Sequence, residues 1–256
     1  RHLKKALNVL HESFFIEEIK KVNLFIIGLG NVGKAFLEQV SNQQVYLLDK
    51  LNMKLAIIGA ANSRTMLFDE QGLDPVVFME ELPKSESFDQ AAFLEKMRTL
   101  NLRNSIFIDI TASATVAEIY EEVLKESISV VTPNKIAATR EYRHYSLLKS
   151  LSKKYKSQFL FETNVGAGLP VLSTLSDLVK SGDQIIKIEA VLSGTLNFIF
   201  NNYDGNIPFV EVVKLAKKEG YTEPDPRLDL SGEDVMRKIL ILARESGYQF
   251  DMDEVM

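Results

Sequence analysis

The apolar run Val22-Asn-Leu-Phe-Ile-Ile27, followed at once by Gly28-Leu-Gly30-Asn31-Val32-Gly33, constrains this chain more than any other stretch. The hexamer reads as a buried strand, and a helical pattern resumes after Gly33 through Val40. Between strand and helix the three glycines have separate tasks. Gly28 permits a tight turn, Gly30 lets backbone approach a pyrophosphate, and Gly33 lets helix and strand pack closely. Amides at the helix start, in the stretch Asn31-Val32-Gly33, then meet negative charge. A merely tight structural turn would also fit the spacing. The strand before it and the alternation after it favour a bound dinucleotide.

That alternation continues. KLAIIGAA (54–61), SIFIDI (105–110), ISVV (128–131) and QFLF (158–161) read as strands. Helical patterns lie at 75–81 and 88–100, after 110 through Glu126, and over most of 134–155. Near-continuous apolar strands separated by helices predict an α/β fold, a Rossmann-type doubly wound parallel sheet covered on both faces. We place this domain at 22–161, after a linker at 1–21. Beyond Glu162 the pattern changes. Helices are expected at 169–180, 207–219 and 232–246, with a strand at IIKIEAVL (185–192). This is an α+β substrate and dimerisation domain, 162–256, and it reads as C-terminally incomplete. Both chain ends look cut from something longer.

Composition excludes several classes. The net charge of −5 comes without a dense basic block, which argues against nucleic-acid or anionic-membrane partners. The absence of cysteine removes disulfides, thiolate metal sites and a cysteine nucleophile, and suits a reducing cytoplasm. The second strand ends Ala60-Ala61-Asn62-Ser63-Arg64 without the acid that usually binds an NAD ribose. Arg64 and Ser63 suit a 2′-phosphate, which favours NADP over NAD. An exposed loop residue is the equal alternative for Arg64.

The stretch GYTEPDPRLDLSGEDVMRK, Gly220 to Lys238, gathers Glu223, Asp225, Asp229 and Asp234 ahead of a lysine. Each member has a plain local explanation. Gly220 suits a helix C-cap, Ser231-Gly-Glu-Asp234 reads as a capping box, and Asp234 with Lys238 as a helical pair. Together they also describe a pocket for a substrate bearing an ammonium group. Lys238 lies at the edge of the apolar face formed by Val235, Ile239 and Leu242, where a lysine can work as an acid or base.

This stretch, with VVTPNK (130–135), ETNVGAGLP (162–170) and LSGTLNFIF (192–200), resembles the homoserine dehydrogenases in order and spacing. ALNVLHESFF near the start is similar to the junction of bifunctional aspartokinase–homoserine dehydrogenases. The resemblance implies reversible NAD(P)-dependent reduction of L-aspartate 4-semialdehyde to L-homoserine, on the route to threonine and methionine. It implies proton transfer by Lys238, with Lys135 near nicotinamide and substrate, and substrate binding by Glu223, Asp229 and Asp234. Thr111 and Gly220 fall where the family touches the cofactor. A monovalent cation, sodium in most members, would use Glu162 and the carbonyls of Val165, Ala167 and Leu169, although VGAGLP by itself reads as a helix-entry loop. A homo-oligomer and an upstream aspartokinase are further implications. Leu228 departs from the family motif, which more often has an acid there. A rival enzyme acting on the same aldehyde through a cysteine is excluded by the missing thiol. A non-catalytic dinucleotide-binding regulatory module stays open as the alternative.

Overall fold

The computed structural model describes residues 19–222 and 225–255. Residues 1–18 of the expected linker, and Glu223, lie outside the described residues. The chain separates into two compact units. One runs through Ala137 and includes Ser146–Leu160; the other comprises Ala138–Tyr145 and the chain from Phe161 onward.

In the first unit, the apolar run becomes β1 (Lys20–Ile27). β1 pairs in parallel with β2 (Met53–Ala61) on one side and β5 (Ser105–Asp109) on the other. β6 (Ser129–Val131) and β7 (Phe159–Leu160) extend the parallel arrangement beyond β5. Among the described residues the sheet has seven strands in the order β4-β3-β2-β1-β5-β6-β7. Because β2 and β5 flank β1, the strand order reverses there, and the carboxyl ends of β1 and β5 border the crevice where such sheets take ligands.

Two antiparallel strands were not foreseen. β3 (Thr65–Leu73) folds back on β2, and β4 (Glu86–Ser87) pairs with β3. The turn between β2 and β3 is set by Asn62, whose Oδ1 accepts from the amides of Arg64 at 2.7 Å and Thr65 at 2.9 Å. β3 hides its nature because Asp69-Glu-Gln71 sits exposed in its middle, so neither alternation nor an apolar run marks it.

α1 (Asn31–Leu51) is longer than its apolar periodicity. Its first half buries Gly33, Leu37 and Val40 against the sheet, whereas Val45, Tyr46 and Leu51 are exposed. It ends at Asn52 in the left-handed conformation, a residue type that tolerates that turn. α2 (Pro75–Glu81) and α3 (Gln90–Leu100) follow, the latter capped by Asp89 accepting from the Ala92 amide. One sheet face, with Val22, Leu24, Ile26, Ile57, Ala60 and Ile108, packs with Leu37, Val40 and Phe78. Each large side chain so buried contributes about 1.5–3 kcal/mol. After β5 the expected single helix divides at Ile119 into α4 (Ala114–Glu118) and α5 (Tyr120–Lys125). Likewise 134–155 divides into α6 (Ile136–Thr139) and α7 (Tyr142–Lys154).

In the second unit the described residues form helices α8 (Leu172–Lys180), α9 (Gly194–Asn202), α10 (Phe209–Lys218), α11 (Pro226–Leu230) and α12 (Glu233–Glu245). Segment 185–192, expected as a strand, makes no ladder among the described residues. A strand needs a neighbour to take its amides and carbonyls. Without one, Ile186 and Val191 stay exposed while Lys187 pairs with Glu189 at 2.7 Å.

α12 is anchored by Arg244, whose guanidinium donates to the carbonyls of Ala138 (2.8 Å) and Phe250 (2.9 and 3.0 Å) and to Asp251 (2.9 Å). The rings of Tyr142 and Tyr145 lie 5.6 and 5.2 Å from it. Burial is the main influence lowering the Arg244 pKa, with Asp251 opposing it. Tyr145 donates to Glu245, and burial followed by that carboxylate pushes its phenol up. Among the described residues no helix is long and apolar enough to cross a membrane.

Candidate active site

The three glycines of the loop meet different surroundings. Gly28 has φ +109, and a Cβ there would stand 2.4 Å from the Ile110 carbonyl oxygen. A Cβ on Gly33 would stand 2.2 Å from the Gly28 backbone oxygen, so strand end and helix start touch only because Gly33 lacks a side chain. Gly30 differs, since a Cβ there meets nothing within 4 Å. It is the N-cap of α1, and among the described residues no side chain caps that helix end. Asn31 and Val32 follow it, both exposed. A helix start behind an open glycine has the room and the positive end of a helix dipole that suit an anionic group. Arg64 is exposed in the β2–β3 turn described above.

Next to this loop the chain leaving β5 turns sharply. The Thr111 amide donates to Asp109 Oδ1 at 2.8 Å, and the Ser113 amide donates to Thr111 Oγ1 at 3.0 Å. Asp109 is fully buried. Its Oδ2 accepts from the Tyr120 hydroxyl at 2.5 Å and from Asn134 Nδ2 at 3.0 Å. Thr132 Oγ1 lies 3.0 Å from the Tyr120 hydroxyl oxygen, donates to the Asp109 carbonyl at 2.9 Å and accepts from the Asn134 amide at 2.9 Å. Asn134 also holds the Ser113 carbonyl and the Ile136 amide. Lys135, half-buried, sits within this short loop. Burial first, and the Asp109 carboxylate second, raise the Tyr120 pKa well above that of an ordinary phenol. Sequence reasoning named Thr111 and Lys135 but missed Asp109, Tyr120, Thr132 and Asn134. Its one available signal was an acid ending an apolar strand.

In the second unit, Lys238 on α12 donates to the Leu192 carbonyl at 2.7 Å and pairs with Asp234 at 2.7 Å. Its side chain is only 20% exposed. The hydroxyl of Thr195, a buried residue at the start of α9, lies between the Tyr221 carbonyl and Asp229 Oδ1, the latter at 2.9 Å. Tyr221 stacks on Phe198 with centroids 4.3 Å apart. The C-cap of α10 is Glu219, and Gly220, expected there, follows it with φ +79, the left-handed position just past a helix end. Asp225 caps α11 and grips Arg227, a bond that, with the cap itself, lowers its pKa to about 2. Thr195 and the Leu192 carbonyl were not picked out as site residues.

The expected capping box is corrected. α12 starts after its N-cap Gly232, which has φ +72 and no side chain to cap with. Ser231 closes α11, donating to the Leu228 carbonyl at 2.7 Å, and its Oγ also accepts from the Glu233 amide at 3.3 Å, without the reciprocal bond of a capping box. Asp234 is thereby left to pair with Lys238.

The cation candidates sit in the loop entering α8. Glu162 uses both carboxylate oxygens on that helix's first amides, Leu172 at 2.8 Å and Ser173 at 2.7 Å. Val165 is buried, Ala167 has φ +52, and the Leu169 carbonyl accepts from Val171 at 2.9 Å. The donors are all oxygens, the type a hard monovalent ion takes. The Glu162 charge is already met by the helix start. Among the described residues no cluster of three His, Cys, Asp or Glu side chains could hold a metal.

Comparison with known proteins agrees with these features. Residues 28–162 match the family model described as homoserine dehydrogenase, NAD binding domain, and residues 170–256 match the homoserine dehydrogenase model. The chain is 41% identical over 252 residues to the bifunctional aspartokinase/homoserine dehydrogenase of Haemophilus influenzae, covering 98% of this chain and 31% of that protein. It therefore spans under a third of such relatives. Among solved structures, a Candida auris protein of unknown function is 30% identical with TM-score 0.80, covering 91% of this chain and 66% of that one. A hyperthermophilic archaeal homoserine dehydrogenase in complex with NADPH is 26% identical with TM-score 0.72, covering 88% and 70%.

Proposed function

This chain belongs to the homoserine dehydrogenase family, and we propose that it catalyses reversible NAD(P)H-dependent reduction of L-aspartate 4-semialdehyde to L-homoserine. The observation that carries the reading is Lys238, an ammonium fixed by the Leu192 carbonyl and Asp234 and largely withdrawn from water. A lysine held in one geometry is suited to deliver a proton to an oxygen as charge grows on it.

The residues of the glycine loop fit a dinucleotide, because Gly30 is open and the helix behind it uncapped. Gly28, Gly30, Asn31, Val32 and Gly33 would hold its phosphates, with Thr111, Lys135 and Gly220 as further contacts. When bound, the nicotinamide supplies hydride to the aldehyde carbon. Two of Lys238's three N–H donors are used by Leu192 and Asp234, which leaves one for the substrate oxygen. It donates that proton in reduction and recovers it in oxidation. Asp229, fixed by Thr195, takes the substrate ammonium together with Glu223, while Asp234 orients Lys238. Lys135 is assigned to the nicotinamide end of the cofactor.

Arg64 in its exposed turn, without an acid at the end of β2, supports NADP over NAD. Glu162 with the carbonyls of Val165, Ala167 and Leu169 would hold a sodium ion. We also propose the division into a linker at 1–21, a cofactor domain at 22–161 and a substrate domain at 162–256. The bifunctional relatives support an aspartokinase fused upstream; we further propose a cytoplasmic homo-oligomer that works in threonine and methionine synthesis.

Replacing Lys238 by alanine tests the reading. Turnover should fall by about 10²–10⁴-fold, the usual contribution of a positioned proton donor, while NADPH affinity stays within about twofold. Near-normal turnover in Lys238→Ala would remove Lys238 from its role.

A further inference from the structure

We propose that Asp109, Tyr120, Thr132 and Asn134 act as one buried positioning unit that fixes the two loops leaving β5 and β6, and that turnover depends on it. The claim that it serves turnover rests on the activity proposed above; the claim that it fixes the loops does not. All four side chains are buried, and they join chain segments separated by up to 25 residues. The Asp109 carboxylate holds three donors at once: the Thr111 amide, the Tyr120 hydroxyl and Asn134 Nδ2.

Nothing in helix or sheet geometry requires this arrangement. β5 and β6 are already joined by ladder pairs from Ile106 with Ser129 to Ile108 with Val131. Asp109 and Thr132 stand where that ladder ends, and the backbone partners of the four lie in the two loops and at the element ends that border them: the amides of Thr111, Asn134 and Ile136 and the carbonyls of Asp109 and Ser113. A buried carboxylate costs far more than an apolar residue of the same size unless it is fully engaged. Its engagement is spent on two loops, one carrying Thr111 and the other Lys135. Tyr120 reaches it from α5, its ring set edge-on against Phe107 and Phe159 at 6.2 and 5.9 Å. That packing locks the ring, so its hydroxyl arrives at a fixed point between Asp109 and Thr132. The raised phenol pKa keeps the proton on Tyr120 throughout the working range. These are positioning residues; none is assigned contact with substrate.

Tyr120→Phe removes one hydroxyl and keeps the ring packing. Two measurements on the intact protein decide the proposal. Amide hydrogen exchange is expected to quicken at least tenfold at Asn134 and Ile136, with the β5–β6 ladder amides unchanged. Turnover is expected to fall about tenfold at saturating substrates, with KM for the aldehyde within twofold, at temperatures well below the melting point. The proposal is overturned if exchange at Asn134 and Ile136 matches the wild type. It is also overturned if turnover is unchanged, or if the loss disappears on cooling in step with stability. Should the wild type bind NADPH yet reduce no aldehyde, the proposed activity and the claim on turnover fail together. Exchange then still decides whether the four side chains hold the loops.

Discussion

Gly30 and Gly33, the N-cap of α1 and a residue of its first turn, should fail in opposite ways when each is replaced by alanine. At Gly33 the new Cβ would lie 2.2 Å from the Gly28 oxygen, about 1 Å inside ordinary carbon–oxygen contact. Both groups are backbone-bound, so the start of α1 must move, at a cost of about 1–3 kcal/mol for overpacking. For a chain of this size that lowers the melting temperature by about 3–10 °C. At Gly30 the added methyl meets nothing within 4 Å, and φ is −76°, which alanine adopts without strain. Stability should hold or rise by up to about 1 kcal/mol through the unfolded chain. The methyl would occupy the space a pyrophosphate needs, and a similar 1–3 kcal/mol there weakens NADPH binding by about 5- to 150-fold. Thermal unfolding without cofactor and a fluorescence titration with NADPH separate the two effects. The reasoning fails if Gly30→Ala binds NADPH as tightly as wild type, or if Gly33→Ala melts at the wild-type temperature.

Arg64→Ala should raise the NADPH dissociation constant by about tenfold or more, the worth of a charge-assisted bond, and leave NADH binding unchanged; equal effects on both would assign the cofactor preference elsewhere. Arg244→Met should cost roughly 3 kcal/mol in urea unfolding, because Asp251 and the carbonyls of Ala138 and Phe250 lose their donor; a loss under about 1 kcal/mol would show that water replaces it. Asp225 should titrate near pH 2 by NMR, held down first by its bond to Arg227. Its pKa is depressed in the fold, so whatever it adds to stability is present above about pH 4 and lost as pH falls through 2. Salt should weaken the effect at this exposed pair, and a midpoint near 4 would deny that the pair persists in solution.

Much of the cofactor half was legible because its constraints are local. Gly28, Gly30 and Gly33 announce themselves by spacing between an apolar run and a helix, and each does a distinct thing in the structure. The pair Asp234–Lys238 was visible for the same reason, a helical separation of four. β3 was hidden by the charges of Asp69 and Glu70, which stay exposed because β4 pairs only with Thr65 and Met66 at its start. Segment 185–192 misled in the other direction: its apolar composition suits a strand, but strand formation depends on a neighbour that composition does not report. Ser231 was read as the N-cap of α12 when Gly232 holds that position, because a serine hydroxyl can serve either helix end and here serves both. The Asp109 cluster lay beyond local reasoning altogether. Tyr120 and Asn134 meet that carboxylate across 11 and 25 residues of chain, a proximity created by sheet order.

The most direct test of the account is the absorbance of NADPH in the presence of the intact protein and L-aspartate 4-semialdehyde, with L-homoserine and NADP in the reverse direction. The account predicts substrate-dependent oxidation of NADPH forward, reduction of NADP in reverse, and loss of both in Lys238→Ala. No absorbance change in either direction, from protein that demonstrably binds NADPH, would contradict it and leave a dinucleotide-binding regulatory module in its place.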